Sequence, residues 1–279
     1  MKKIFLVLAC ITFSGKLFAE TPDISTFFKD KSACFILYDL KQDKTVISYN
    51  PKRCAQRIPA NSTFKIPLSL MAFDQKLINQ NTIFKWDGKK RKLGVWNQNQ
   101  TPVSWLQNSV VWVSQLLTTQ MGLNTVKDYL AKFNYGNQDF SGDPGQNNGL
   151  TEAWLSSSLK ISGDEQLRFI KALVTDRLPV SQQAIDNTRA NMYLETSAKG
   201  WKLYGKTGSG YHHPEDKWHH LSMASVPQDG SFTGFIEKPE QTYLLVVNFT
   251  DLQKPESSQL GGSRAKGAAK AILTELGLF

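Results

Sequence analysis

Ser62 and Lys65 stand three residues apart, and Lys206-Thr207-Gly208 follows far downstream. On a helix, residues i and i+3 share a face, so the spacing of Ser62-Thr63-Phe64-Lys65 sets a hydroxyl beside an amine. A serine hydroxyl is a weak nucleophile until a base adjoins it, and Lys65 is placed to be that base. The chemistry that this pair suits is nucleophilic attack by an activated serine. Serine and lysine are common, however, and an ordinary amphipathic helix gives the same spacing. The K-T-G segment and the motifs between separate the two readings.

The elements needed to position these residues are legible in the patterning. Residues 33–50 read as a β-hairpin of alternating, β-rich character. A helix is predicted over 62–76, with Pro67 near its first turn. Residues 102–132 read as helices, the first started by Pro102, with helical apolar spacing over 123–133. Residues 140–149 are rich in Gly, Asn, Asp and Pro and read as a loop. Helices are predicted over 164–175 and 181–194. Strands are predicted over 199–207, 218–226, 231–237 and 242–250, and a closing helix over 264–276. Strands, then helices, then strands, then a helix describe an α+β chain. One antiparallel sheet is built from both ends and flanked by terminal helices, with a helical subdomain inserted over about 77–195.

The first 19 residues read as a signal peptide. Lys2 and Lys3 precede the short apolar run 4–13, and Leu17-Phe18-Ala19 is an imperfect cleavage site. The run is too short to span a membrane. A lipoprotein reading through Cys10 ranks second, because that cysteine falls inside the apolar run. Cleavage after Ala19 shortens the 279 residues to 260, and losing Lys2, Lys3 and Lys16 lowers the net charge from +9 to +6. The expectation is an exported, periplasmic protein, residues 20–279, folded as one domain without a membrane anchor. Its lysines are scattered, and the densest run, 89–92, reads as a solvated loop, so no nucleic-acid partner is expected. A basic surface suits anionic substrates or an anionic envelope. Cys34 and Cys54 remain after cleavage. An exported pair whose hairpin returns the chain toward Cys34 predicts a disulfide, against the alternative of two separate buried thiols.

With these pieces placed, the chain closely resembles the class D serine β-lactamases. Ser62 to Lys65, with Ala60 before it and Ile66-Pro67 after it, matches the nucleophile motif. Ser109-Val110-Val111, Tyr135-Gly136-Asn137, Trp154-Leu155 with 158–162, and Tyr204 to Gly208 match the further motifs in order. The resemblance spans nearly the whole mature chain. It implies a β-lactamase/transpeptidase-like fold and hydrolysis of the β-lactam ring of penicillin-type antibiotics, conferring resistance, through a Ser62 acyl-enzyme.

The same resemblance implies the remaining roles. Ser109 relays a proton to the leaving nitrogen with Lys206 beside it. The backbone N–H groups of Ser62 and Ser209 form the oxyanion hole. Thr207, Gly208 and Arg264 bind substrate, Arg264 through the substrate carboxylate. The glutamate base of class A enzymes is not matched, because Glu152 is followed four residues on by Ser156 and Glu165 by Phe169. Class D enzymes use the lysine itself, carboxylated by carbon dioxide, so Lys65 is the expected modified residue. That requires a neutral amine, which burial favours. Val111 is expected to shield the carbamate, and the Trp154 indole N–H to donate to it. No other cofactor is implied.

His212, His213, His219 and His220 invite a metal reading. The intervening Pro214, Glu215 and Asp216 read as a turn, and serine chemistry needs no metal, so none is expected. Two competing readings share the motifs. A β-lactam-sensing receptor domain would be tethered to transmembrane helices. A D,D-peptidase is disfavoured by the 154–162 segment and the compact length.

Overall fold

The computed structural model describes residues 22–211 and 227–279. The signal-peptide segment, the four histidines and the strand expected over 218–226 lie outside these residues.

The sheet has six antiparallel strands: β1 (Lys31–Asp39), β2 (Lys44–Tyr49), β5 (Tyr193–Thr196), β6 (Lys202–Tyr211), β7 (Gln228–Lys238) and β8 (Gln241–Asp251). Their spatial order is β2-β1-β8-β7-β6-β5. Both chain ends therefore contribute, and a long helical excursion separates β2 from β5. Two short strands, β3 (Ile58–Pro59) and β4 (Lys160–Ile161), pair away from the main sheet.

The central strands are buried on both faces, which explains their near-continuous apolar runs. Along β8, Tyr243, Leu245, Val247 and Phe249 face one core, with Ala265, Ala269, Ile272 and Leu273 of the closing helix. Leu244, on the opposite face, joins the larger core with Phe64, Trp105 and Trp154. That larger core holds α2 (Lys65–Asp74), which packs against α3 (Pro102–Gln107), α4 (Val111–Met121), α5 (Leu123–Lys132) and α8 (Gln182–Asn191). Short helices α1 (Pro51–Cys54) and α6 (Gly149–Glu152) complete the list with α7 (Gly163–Val174) and α9 (Gly261–Glu275). The N-terminal element among the described residues is one 3-10 turn, Ile24–Phe28.

Local chemistry sets the boundaries. Ser162 and Glu165 form a reciprocal capping box that starts α7. Thr101 and Ser104 do the same for α3, with Pro102 in its first turn. The predicted run 102–132 breaks where Ser109 (φ 57°) and Gly122 (φ 76°) turn the chain. The predicted helix over 62–76 is split, with 3-10 turn Asn61–Phe64 leading into α2. The closing helix begins at Gly261, three residues earlier than its apolar pattern suggests. Both glycines there are needed for close packing, since a Cβ on Gly262 would lie 2.7 Å from the Gly208 carbonyl oxygen. Asn50 caps α1 and brings Cys54 back to β1, where a disulfide joins it to Cys34 across a Cα–Cα distance of 4.9 Å.

Candidate active site

The nucleophile turn is held from both sides. Asn61, immediately before Ser62, has a left-handed backbone (φ 46°) and is almost wholly buried. Its Oδ1 accepts from the Ser156 backbone N–H at 3.1 Å and from the Ser156 hydroxyl at 3.3 Å. Ser156 Oγ in turn accepts the Tyr211 backbone N–H at 2.9 Å, which ties β6 to the same knot. On the other side, Thr63 Oγ1 donates to the Ala60 carbonyl at 2.6 Å and accepts from Gln166 Nε2 at 3.2 Å. The Thr233 hydroxyl donates to Gln166 Oε1. A strained residue persists only where its surroundings over-determine it, and here three elements do so.

The turn sets Lys65 Nζ 3.4 Å from Ser62 Oγ. Lys65 is fully buried at the start of α2. Burial holds its amine well below the usual lysine range, and the charge of Lys206 pushes in the same direction. A neutral amine accepts a proton from the serine, so this geometry suits a base. Phe64, the neighbour of Lys65 in the chain, belongs to a cluster of three aromatic rings. Phe64 stacks on Trp154 at 5.3 Å and meets Phe140 at 5.4 Å, and Phe140 stacks on Trp154 at 5.9 Å. Trp154 Nε1 is buried and has no hydrogen-bond partner among the described residues. An unmatched indole donor is costly.

The K-T-G segment lies on β6, against the nucleophile turn, where a Cβ on Gly208 would fall 3.2 Å from Thr63 Cγ2. Strand β5 pairs with β6 only over Lys202–Tyr204. Beyond that, Gly205 N–H donates outward to the Met192 carbonyl at 2.9 Å and Tyr211 N–H donates outward to Ser156. By the two-residue period, the backbone groups of Thr207 and Ser209 point to that same edge. Ser209 N–H therefore points to the edge of β6 that β5 leaves unpaired. Lys206 is 3% exposed and its Nζ donates to the Thr207 carbonyl at 2.8 Å. Its pKa is pushed down to about 7, by burial first and then by Lys266. Two buried amines of lowered basicity, one of them beside the serine hydroxyl, fit a proton-transfer site.

The sequence and fold of this chain are similar to those of known proteins. Residues 33–274 match the family model of the penicillin binding protein transpeptidase domain. β-Lactamase OXA-1 of Escherichia coli is 45% identical over 99% of this chain and 96% of its own length. β-Lactamase OXA-9 of Klebsiella pneumoniae is 36% identical over 99% of this chain and 97% of its own. The crystal structure of the class D β-lactamase OXA-427 superposes with a TM-score of 0.75 at 37% identity, covering 88% of this chain and 98% of that one.

The chain belongs to the class D β-lactamase family.

A class D β-lactamase is a serine hydrolase acting on the β-lactam amide, and the expected residues can be placed accordingly. Ser62, Lys65 and the Lys206–Gly208 segment come together. Ser109 sits at the α3–α4 corner in a left-handed conformation (φ 57°), a geometry that singles it out from an ordinary helix-surface serine. Val111 opens α4 and is half-buried. Arg264 turns away from the K-T-G strand. Its guanidinium donates to both carboxylate oxygens of Asp251, at 2.8 and 2.6 Å, and lies over the Phe249 ring at 4.9 Å. On the same helix, Gly262 abuts the K-T-G strand, its N–H donating to Ser209 Oγ at 2.8 Å. Lys266, one turn on, shares that face and lines a cleft with Lys206 and Thr207.

Several positioning residues carry no sequence signal of their own. Asn61, Gln166 and Ser156 look like ordinary polar residues until the fold brings them to the nucleophile turn. The Tyr135-Gly136-Asn137 turn was legible only as a turn. Asn137 Nδ2 donates to the Ser158 carbonyl at 2.8 Å, so this turn seats the segment that carries Trp154.

Proposed function

We propose that this class D β-lactamase opens the β-lactam ring through an acyl-enzyme on Ser62, with Lys65 as the base in both half-reactions. The observation that carries the reading is Lys65: a fully buried amine 3.4 Å from the serine hydroxyl, its basicity lowered by burial and then by the charge of Lys206. Ser62 Oγ attacks the lactam carbonyl and its proton passes to Lys65. The developing oxyanion is received by the backbone N–H groups of Ser62 and Ser209. Ser109 and Lys206, the latter near half-protonation at neutral pH, return a proton to the departing nitrogen. Thr207 and Gly208 align the substrate along the free edge of β6.

Carbon dioxide bound to Lys65 as a carbamate supplies a carboxylate-type base for the water that releases the acyl group. The residues fit that modification. Burial lowers the basicity of the amine, in the direction that reaction with carbon dioxide requires, and the indole N–H of Trp154, stacked on the adjacent Phe64, is buried and unmatched among the described residues. Val111 and the aromatic stack exclude competing solvent. Penicillin-type β-lactams are the substrates and resistance is the biological outcome. No described helix is long and apolar enough to cross a membrane, and export to the periplasm with cleavage near Ala19 completes the reading.

The test is intact-mass spectrometry after mixing with a slowly released β-lactam. Wild type should gain the mass of one ring-opened antibiotic, and Ser62→Ala should gain none while keeping its thermal midpoint. An adduct on Ser62→Ala would remove this serine from the mechanism.

A further inference from the structure

Ser109 stands in a left-handed turn (φ 57°) between α3 and α4, and two peptide groups flank it. The Ser109–Val110 group is tied within the corner. Its N–H donates to the Trp105 carbonyl at 3.0 Å. Trp105 is wholly buried, and its indole N–H donates to Ser114 Oγ at 3.0 Å. The Asn108–Ser109 group is held differently. Its N–H reaches the Leu106 carbonyl only at 3.3 Å, long for a bond whose usual range is about 2.7–3.2 Å. Its carbonyl is held more closely, by the Trp96 indole N–H at 2.9 Å. The better tie on the peptide plane that precedes Ser109 therefore comes from outside the corner.

Trp96 ends the 3-10 turn Gly94–Trp96, in the segment that precedes α3. That segment is closed on itself. The Arg91 backbone N–H donates to Asn97 Oδ1 at 2.7 Å, and Asn97 Nδ2 donates to the Arg91 carbonyl at 3.0 Å. Trp112 seats it on α4. The Trp112 indole N–H donates to the Trp96 carbonyl at 3.0 Å, and the Arg91 guanidinium lies over the Trp112 ring at 5.2 Å. Both indoles are half-buried against the larger core. Two tryptophans thus form a relay from the first turn of α4, through the 91–97 segment, back to the peptide before Ser109. A group that transfers a proton must be held within hydrogen-bond reach of it. A left-handed residue persists only where its surroundings fix it.

We infer that Trp96, seated by Trp112, is a positioning residue that orients Ser109 for return of the proton to the departing lactam nitrogen. The inference rests on the role proposed above for Ser109. It gives Trp96 a kinetic signature opposite to that of Trp154. Ring opening waits on proton return, so a loosened Ser109 slows acylation. Release of the acyl group depends on Lys65 and its carbamate, which the Trp96 relay does not include.

Single-turnover kinetics with a penicillin, followed at the lactam absorbance, separate acylation from release. Trp96→Phe keeps a ring on the core and loses the N–H. Its acylation should slow by about 10–10²-fold, the scale for a misplaced reacting group, with release rate and bicarbonate dependence at wild-type values. Trp112→Phe, one bond further back, should slow acylation by less. Ser109→Ala supplies the reference: if Trp96 acts through Ser109, adding Trp96→Phe to Ser109→Ala should slow acylation no further. Additive losses would make Trp96 a wall for the substrate and overturn the inference. Wild-type acylation in Trp96→Phe, or a loss confined to release, would overturn it as well. Should Trp96→Phe not fold, Trp112→Phe in the same cycle decides by the same outcomes. A Ser109→Ala enzyme that acylates at the wild-type rate would sink the Ser109 reading and the inference with it, whereas additive losses sink the inference alone.

Discussion

Asn137 and Lys160 hold each other twice. The Asn137 backbone N–H donates to the Lys160 carbonyl at 2.9 Å, and the Lys160 backbone N–H donates to Asn137 Oδ1 at 2.9 Å. Lys160 lies on β4, which pairs with β3 just ahead of the nucleophile turn, and the Ala60 N–H donates to the Leu159 carbonyl at 2.9 Å. The Tyr-Gly-Asn turn therefore fixes the Trp154 segment and the Ser62 turn in one register. It leaves no room for error, because a Cβ on Gly136 would fall 2.1 Å from the Lys160 oxygen at φ 57°.

Gly136→Ala should accordingly destabilise the fold by about 2–4 kcal/mol, from backbone strain and overpacking together. Urea unfolding measures this. If the turn positions the Trp154 wall, the variant should also need added bicarbonate for full kcat. Wild-type stability with wild-type bicarbonate dependence would refute the clamp.

Trp154→Phe separates the indole donor from the aromatic wall. It keeps a ring between Phe64 and Phe140 and loses only the N–H. Lys65 is neutral above its lowered pKa and protonated below it, so falling pH should drive carbon dioxide off the amine. Wild type should lose activity at mildly acid pH in degassed buffer and recover with bicarbonate. Trp154→Phe should show the same loss at higher pH, with kcat down about 10²-fold, within the range for one proton-transfer group. A burst of product should precede the slow phase, because acylation suffers less than release. A Trp154→Phe enzyme with wild-type pH and bicarbonate profiles would exclude the donor role.

Much of this was readable beforehand, for identifiable reasons. The hairpin, the apolar run of β8 and the helical excursion follow from periodicity alone. Ser62 and Lys65 announce themselves because their spacing is local. Asn61, Ser156 and Gln166 do not, because their partners lie 95, 95 and 103 residues away in sequence. The closing helix illustrates a subtler limit. Its glycine start reads as loop, whereas those glycines allow the helix to touch β6. With α9 placed, Arg264 pairs with Asp251 of β8, whereas Gly262 abuts the K-T-G strand.

The Arg264–Asp251 pair yields a third expectation. Asp251 is 6% exposed and also accepts the Gln228 backbone N–H at 3.1 Å. Removing one member of a buried pair costs about 3–5 kcal/mol, whereas replacing both with well-packed neutral groups costs much less. Arg264→Met should therefore lower the thermal midpoint more than the Asp251→Asn, Arg264→Met double variant. KM for a carboxylate-bearing penicillin should be unchanged in the folded double variant. A clear KM rise in the folded double variant would return Arg264 to substrate binding.

Lys206 links the site to stability through pH. Its native pKa is pushed down to about 7, against about 10.4 for an unfolded lysine. Below pH 7 both states hold the proton, and the native state bears the full cost of a buried ammonium. Between pH 7 and about 10.4 the unfolded chain holds a proton that the native state has shed, so native stability rises with pH across that window. Lys206→Met removes this dependence along with the charge. The variant should be more stable than wild type at pH 6, and the gap should shrink steadily by pH 9. Taking the difference between the two proteins cancels every other titration they share, while the coupled Lys65, relieved of a neighbouring charge, moves toward its ordinary value. Urea unfolding at pH 6, 7.5 and 9 reads the gap directly. A gap that stays constant or widens with pH would mean that Lys206 keeps its proton in the native state. The leaving nitrogen would then face an ammonium of ordinary acidity rather than a group poised near neutrality.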